Sequence, residues 1–198
     1  MLLVFARAPR LGTVKRRLAR GIGALAALCF YRAQLGRLLR AVVRDRRWQT
    51  IIAATPDRAR TRWPMRCQVL PQGRGDLGAR MHRAMRPHRR VVVVGSDIPD
   101  LRAGDIAQAF RALGHADAVF GPAEDGGYWL VGMGPRRPAR PFAGVRWSGP
   151  HALADTRANF TAHDVALLRV LRDVDTATDL AAVDAAGPRT PRFHPRNP

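Results

Sequence analysis

The sequence predicts a three-layer α/β/α sandwich around a mostly parallel sheet with an antiparallel insertion. Three observations lead there. The run Val91-Val-Val-Val94 is uninterrupted apolar residues stopped by Gly95, the pattern of a strand buried on both faces beneath covering helices. Short apolar strands alternate with helical stretches along most of the chain, which points to βα units. Gly126-Gly-Tyr-Trp-Leu-Val-Gly132 follows a strand closely, so it reads as a strand returning after a glycine turn.

Each element has its own signal. Leu2–Ala6 is a first strand, Pro9–Gly12 a turn, and Val14–Ala19 the start of a helix. Ile22–Val43 reads as one long helix. Leu28, Tyr31, Leu35, Leu38 and Val42 recur at spacings of three and four on one face, with Arg32, Arg37, Arg40 and Arg44 opposite. Strands follow at Thr50–Ala54 and Cys67–Leu70, then a helix over Leu77–Met85. The valine strand is succeeded by a helix near Ala103–Leu113 and a strand at Ala116–Phe120. After the returning strand, His151–Asn159 is helical, Leu167–Leu171 strand-like and Thr176–Ala185 helical. No internal repeat or long linker divides residues 1–186, which are expected to form one domain. Pro188, Pro191, Pro195 and Pro198 mark 187–198 as a loose tail.

Composition narrows the function classes. At 46% hydrophobic residues the chain is globular rather than disordered. Its apolar start is cut short by Arg7 and Pro9, too early for a secretory signal. No apolar run approaches the roughly 20 residues of a membrane span, and the expected location is the cytosol. Cys29 and Cys67 cannot build a disulfide framework and are expected as buried free thiols. The formal charge of +19 invites a nucleic-acid reading. However, the arginines run from Arg7 to Arg196 without interleaved aromatics, so specific nucleic-acid binding is not expected. Attraction of anionic small substrates fits better. The only lysine is Lys15 and the only glutamate Glu124.

Five motifs carry the candidate chemistry. Phe5 to Leu18 takes a strand through a Gly12-containing loop into a basic helix start, where Lys15 and Arg17 would face phosphates. It is not a Walker A motif. Gly73-Arg-Gly-Asp-Leu-Gly78 offers either close backbone approach at Gly75 or a helix cap at Asp76. Asp97 and Asp100 follow the valine strand. Acids just past such a strand end can hold Mg2+ or Mn2+ over a substrate phosphate. Gly121-Pro-Ala-Glu-Asp-Gly-Gly-Tyr-Trp129 brings Glu124, Asp125, Gly126 and Gly127 to the same end of the sheet, with Glu124 or Asp125 as a further ligand or general base. Tyr128 and Trp129 would pack on a ligand ring or in the core. In Asp173-Val-Asp-Thr-Ala-Thr-Asp-Leu180, Thr176 and Asp179 fit a capping box, which leaves Asp173 and Asp175 without a structural role, and Asp175 is the candidate second metal ligand. No paired histidine or cysteine spacing supports zinc. A Gly-x-Ser-x-Gly elbow and a Gly-x-Gly-x-x-Gly fingerprint are both missing.

In order along the chain, Phe5-Ala-Arg-Ala-Pro…Gly12-x-Val-Lys-x-Arg-Leu18, Gly75-Asp-Leu-Gly-x-Arg-Met81, Gly95-Ser-Asp-x-Pro-x-Leu101, Gly121-Pro-Ala-x-Asp-Gly-Gly-Tyr128, Trp147-Ser and Asp173-x-Asp-Thr-x-x-Asp-Leu180 resemble the bacterial DUF2064 proteins. Those are glycosyltransferase-type proteins linked to arsenosugar biosynthesis. The resemblance covers residues 2–182 and implies a GT-A, nucleotide-diphospho-sugar transferase fold. Similar starts and Asp-x-Asp-Thr ends occur in phospholactate and molybdenum-cofactor guanylyltransferases. By position, the resemblance implies that Arg7, Gly12, Lys15 and Arg17 meet nucleotide phosphates, Asp97 the metal, and Asp125 the reacting sugar or phosphate. Arg7 stands where the family usually has Lys, and Arg16 where it usually has Thr.

The expectation is a metal-dependent glycosyltransferase moving a sugar from a nucleoside diphosphate sugar to a small-molecule acceptor. Asp97, Asp125 and Lys15 are its catalytic candidates, and Asp97 and Asp175 its metal ligands. Arg7, Gly12, Lys15, Arg17, Gly75, Asp76, Gly126 and Gly127 are the candidate nucleotide-contacting positions. The alternative is nucleotidyl transfer from a nucleoside triphosphate to a phosphorylated small molecule, releasing pyrophosphate. More distant is a non-catalytic nucleotide- or nucleic-acid-binding module.

Overall fold

The structure, a computed structural model, describes residues 1–59 and 61–185. The expected tail over 187–198 lies outside the described residues. The elements are β1 (Leu2–Arg7), α1 (Arg16–Ile22), α2 (Ala24–Val42), β2 (Thr50–Thr55), β3 (Gln68–Pro71), α3 (Leu77–Met85), β4 (Val91–Val94), α4 (Ala103–Ala112), β5 (Ala118–Pro122), β6 (Tyr128–Met133), α5 (Ala152–Ala158), β7 (Val165–Leu167) and α6 (Ala177–Ala185).

Seven strands form one sheet in the order β3-β2-β1-β4-β6-β5-β7. The pairs β1–β2, β1–β4, β2–β3 and β5–β7 are parallel. β6 alone runs the other way, antiparallel to β4 and β5, as the glycine turn before it requires. The α/β sandwich with an antiparallel insertion is therefore the architecture observed.

Alternation along the strands feeds two cores. Leu2, Val4, Ala6, Val92 and Val94 pack with Leu35, Leu39 and Val42 of α2 and Ile106 and Ala109 of α4. Leu3, Val91, Val93, Phe120, Val131 and Met133 pack with Met81 and Met85 of α3 and with Phe142 and Phe160. All four β4 valines are buried, so the sheet is covered on both sides there.

Three differences from the sequence reading have local causes. The helix expected over Ile22–Val43 starts at Ala24 instead, with Ile22 closing α1, because Gly23 has a φ of 84° and a ψ of 154° that leave the helical region. Val14 and Lys15 fall outside α1 because Lys15 adopts a left-handed conformation, φ 45° and ψ 49°. The expected buried thiols are also corrected. Cys29 is exposed and Cys67 half-buried, because Cys29 lies off the buried stripe of α2 and Cys67 leads into an exposed edge strand. Burial raises the Cys67 thiol pKa, and its Sγ donates to the Thr50 carbonyl at 2.9 Å.

The chain leaves β1 to form β2 and β3 on one side and crosses to β4 on the other. The order thus reverses between β1 and β4, where α/β sheets open a crevice at their carboxyl ends. The ends of β1, β4, β5 and β7 share that rim, with the β5–β6 turn. Leu35, fully buried in α2, tests the core that supports it. Leu35→Ala is expected to cost about 2–5 kcal/mol of unfolding free energy in urea titration.

Candidate functional site

Lys15 organises the rim. Its left-handed backbone turns the side chain inward, where only 5% of it is exposed, and Nζ donates to Asp97 Oδ2 at 2.8 Å and to Asp175 Oδ1 at 2.7 Å. Burial opposes the charge, but the two carboxylates outweigh it and raise the Lys15 pKa above the usual 10.5. Arg17 is 67% exposed and reaches Asp175 Oδ2 at only 3.9 Å. Tyr31 of α2 clamps the end of β1. Its hydroxyl accepts from Arg7 N–H at 2.9 Å, donates to the Arg7 carbonyl at 2.8 Å, and lies 3.2 Å from Ser96 Oγ. That hydroxyl therefore connects the ends of β1 and β4.

Two cavities open on this rim and share Asp97. One, of about 390 Å3, lies at the β1–β4 crevice and is lined by Arg7, Thr13, Lys15, Arg16, Arg17, Tyr31, Ser96, Asp97 and Asp175. The other, of about 250 Å3, is lined by Asp97, Asp125, Asp173, Gly127, Tyr128, Trp129, Trp147 and Ser148 with apolar neighbours. A smaller apolar recess of about 100 Å3 adjoins it behind Tyr128 and Trp129. The first cavity is rich in cations, the second in carboxylates and aromatic rings.

The second cavity is shaped by the β5–β6 turn. Asp125 Oδ1 accepts from Gly127 N–H at 2.9 Å. Gly126 has φ 83°, and a Cβ there would run into the Pro150 carbonyl, so the turn needs glycine. Tyr128 packs edge-on against Phe120 and Trp147. Trp129 is in the core, its Nε1 donating to the Arg169 carbonyl at 3.2 Å. Asp173 is an acid with a raised pKa. Burial first, then the charges of Asp175, Asp125 and Asp97, push its pKa up to about 6 against the opposing pull of Lys15.

The expected residues divide into those the rim gathers and those it does not. Arg7, Lys15, Arg17, Asp97 and Asp175 meet at the basic cavity, while Asp125 and Gly127 meet at the acidic one. Gly12 gives the loop after β1 a left-handed turn, φ 72°, and lines neither cavity. Gly75 and Asp76 line neither cavity. Asp76 is the N-cap of α3, accepting from Ala79 N–H at 2.8 Å. Glu124 pairs with Arg172 at 2.6 Å. Asp179 accepts from Thr176 N–H and Oγ1 at 2.7 Å each, completing the anticipated capping box. Tyr31 and Ser96 escaped notice as site residues, because a tyrosine on an apolar helix face reads as core and a serine beside Asp97 reads as turn.

The acids fit a hard divalent cation. Asp97 Oδ1 and Asp175 Oδ2 are not used by Lys15, and Mg2+ or Mn2+ takes one or two carboxylates plus substrate phosphates. Among the described residues no group of three or more His, Cys, Asp or Glu is arranged to hold a metal, so its other ligands would come from substrate and water.

Comparison with known proteins decides the family. The sequence profile of DUF2064, described as uncharacterized proteins conserved in bacteria, matches residues 38–149. The chain belongs to the DUF2064 family. The matched region holds Asp97 and Asp125 but ends before Asp175 and begins after Lys15. A provisionally named nucleotide-diphospho-sugar transferase from Desulfovibrio desulfuricans is 31% identical in sequence. That similarity covers 96% of this chain and 87% of the other, with a TM-score of 0.88. A phosphoenolpyruvate guanylyltransferase from Thermomonospora curvata is 34% identical over 124 residues, 61% of this chain and 53% of its own. The match therefore spans about half of that relative. The fold is also that of 2-C-methyl-D-erythritol 4-phosphate cytidylyltransferase from Thermus thermophilus, 16% identical over 93% of this chain and 97% of the other, with a TM-score of 0.53. This DUF2064 protein thus has a nucleotide-diphospho-sugar transferase fold. Among the described residues no helix is long and apolar enough to cross a membrane.

Two measurements probe the charge cluster. Lys15→Met should lower stability at pH 7 by about 1–3 kcal/mol, moderated because Asp97 and Asp175 are 36% and 41% exposed. A lysine with a raised folded pKa contributes fully below 10.5 and loses its contribution as pH rises through the folded value. The two proteins should therefore converge in strongly alkaline denaturation series. Asp173 shows the same direction at lower pH, since ionising it costs folded-state stability as pH rises from about 4 through about 6. Asp173→Asn should be more stable than wild type by roughly 1 kcal/mol at pH 8 after solvent screening. It should show no gain near pH 4 in thermal melts.

Proposed function

We propose that the protein is a metal-assisted transferase acting on a nucleotide-activated donor, with a nucleoside diphosphate sugar as the donor. The observation that carries this reading is the pair of cavities sharing Asp97. One is lined by Arg7, Lys15, Arg16 and Arg17, the other by carboxylates and aromatic rings. The donor's diphosphate would occupy the basic cavity and its sugar the acidic one, with the scissile bond beside Asp97.

Mg2+ or Mn2+ held by Asp97 and Asp175 would offset charge on the departing diphosphate. The chain's own cations contribute the rest. Lys15 sits at the junction with its charge already in place, and Arg7, Arg16 and Arg17 ring the cavity, so little reorganisation is needed as charge develops. The sugar C1–O bond breaks with its electron pair going to the diphosphate oxygen, and an acceptor hydroxyl oxygen bonds to C1. Asp125, at the exposed mouth of the acidic cavity, receives the hydroxyl proton. Tyr31 acts indirectly by holding the Arg7 backbone against Ser96.

The similarity to a guanylyltransferase supports a second reading, nucleotidyl transfer. The same cations would then surround a nucleoside triphosphate attacked at its α-phosphorus, with pyrophosphate leaving. Product analysis separates the two readings. Nucleoside diphosphate release from a nucleotide sugar supports the first, and pyrophosphate release from a triphosphate supports the second. In either case Asp97→Asn should weaken Mn2+-dependent nucleotide binding at least tenfold in calorimetry while leaving the circular dichroism melt cooperative. Unchanged metal-dependent binding would remove Asp97 from the metal site.

A further inference from the structure

The acidic cavity has the wrong sign for the protein that contains it. On a chain of net charge +19, its lining includes Asp97, Asp125 and Asp173 and, among the described residues, no lysine, arginine or histidine. Lys15 pairs with Asp97 and Asp175 and so offsets the shared acid, while Arg172 pairs with Glu124 and Arg146 with Asp155. Asp97 is shared with the basic cavity, whereas Asp125 and Asp173 line the acidic one alone of the two. The remaining surface is largely apolar, with Tyr128 and Trp147 in contact edge to face. Its volume, about 250 Å3, lies just below the usual range for drug-sized ligands and leaves room for one small ring.

These features act on a ligand in one direction. Hydroxyl groups donate charge-assisted hydrogen bonds to carboxylates, and aromatic walls cover the apolar faces of a ring. A phosphate or carboxylate on the same ring would meet the like charges of Asp125 and Asp173 in a half-enclosed space, on the side of the cavity away from Lys15 and the proposed metal.

We propose that this cavity selects an uncharged, hydroxyl-bearing ring and rejects phosphorylated or carboxylated groups of the same size. The inference rests on the placement of the transferred group under Proposed function and names its chemical class. The anionic selectivity suggested by the overall charge is thereby confined to the basic cavity, and the two halves of the donor are sorted by sign.

Titration calorimetry of the full chain with Mn2+ tests this in two stages. ADP, CDP, GDP, TDP and UDP are measured first. The nucleotide that binds is then compared as a neutral sugar conjugate and as the matching uronate, for example UDP-glucose against UDP-glucuronate. The neutral conjugate should bind more tightly than the free diphosphate, and the uronate at least tenfold more weakly than the neutral sugar. Asp125→Asn and Asp173→Asn should each narrow that gap at least threefold. A uronate that binds as well as its neutral partner, or a gap unchanged in both variants, overturns the inference while leaving the nucleotide site intact. Failure of every diphosphate to bind overturns the donor reading itself, and this inference with it.

Discussion

The site depends on one ammonium group. Lys15 Nζ lies within 2.8 Å of carboxylates that are 82 and 160 residues away in sequence, one just past β4 and the other just before α6. Parallel strands bring the ends of β1 and β4 side by side, but nothing in the sheet obliges the segment after β7 to return to them. Together with Val174, which is buried against Leu18, Ala27 and Phe30, the lysine supplies that constraint. It is nearly buried, so the pair lies in a medium of lower dielectric than water, where attraction is stronger and loss of a partner more costly. Both acids keep part of their surface in solvent, which limits their desolvation penalty. A rim of acids and bases is thereby held open and charged at once.

That arrangement also bears on how a cation could enter. The ammonium already sits between Asp97 and Asp175, so a divalent ion must approach the carboxylate oxygens that Lys15 leaves free. A phosphate arriving with the metal would give the lysine a second partner. Lysine suits this position better than arginine, because its compact head can be shared among several oxygens without the fixed fork of a guanidinium. In a chain whose other basic side chains are all arginine, the single lysine stands at the one place where a small cation must fit between two acids.

Much of this was legible in the sequence, for reasons that can be located. Four valines at β4 and the glycine that ends them report burial on both faces, and that fixes the direction of the strand end carrying Asp97. Helix α3 was readable over its full span because Asp76 caps it. The capping box of Thr176 and Asp179 separates a structural acid from Asp175 on spacing alone. Other features depended on tertiary contact. The left-handed turn at Lys15 has no glycine to announce it, and the first periodic position of α2, Leu28, lies too far past Gly23 to mark where the helix begins. Tyr31 looked like a core residue because its ring is one. Only the fold reveals that its hydroxyl ties Arg7 to the position beside Asp97.

Local sign matters more here than net charge. A formal charge of +19 suggests a uniformly basic surface, yet charges at a surface are screened over about 10 Å at ordinary ionic strength, so a ligand in a cavity responds chiefly to the groups lining it. At the carboxyl rim those groups change from arginine and lysine to aspartate across the single residue Asp97. The acidic side draws on the β5–β6 turn and the segments before α5 and α6, together with Gly95, Asp97 and Ile98 past β4 and Leu77 of α3. In the adjoining β1–β4 crevice the charges lie beside the buried hydroxyl of Tyr31 and the ammonium of Lys15.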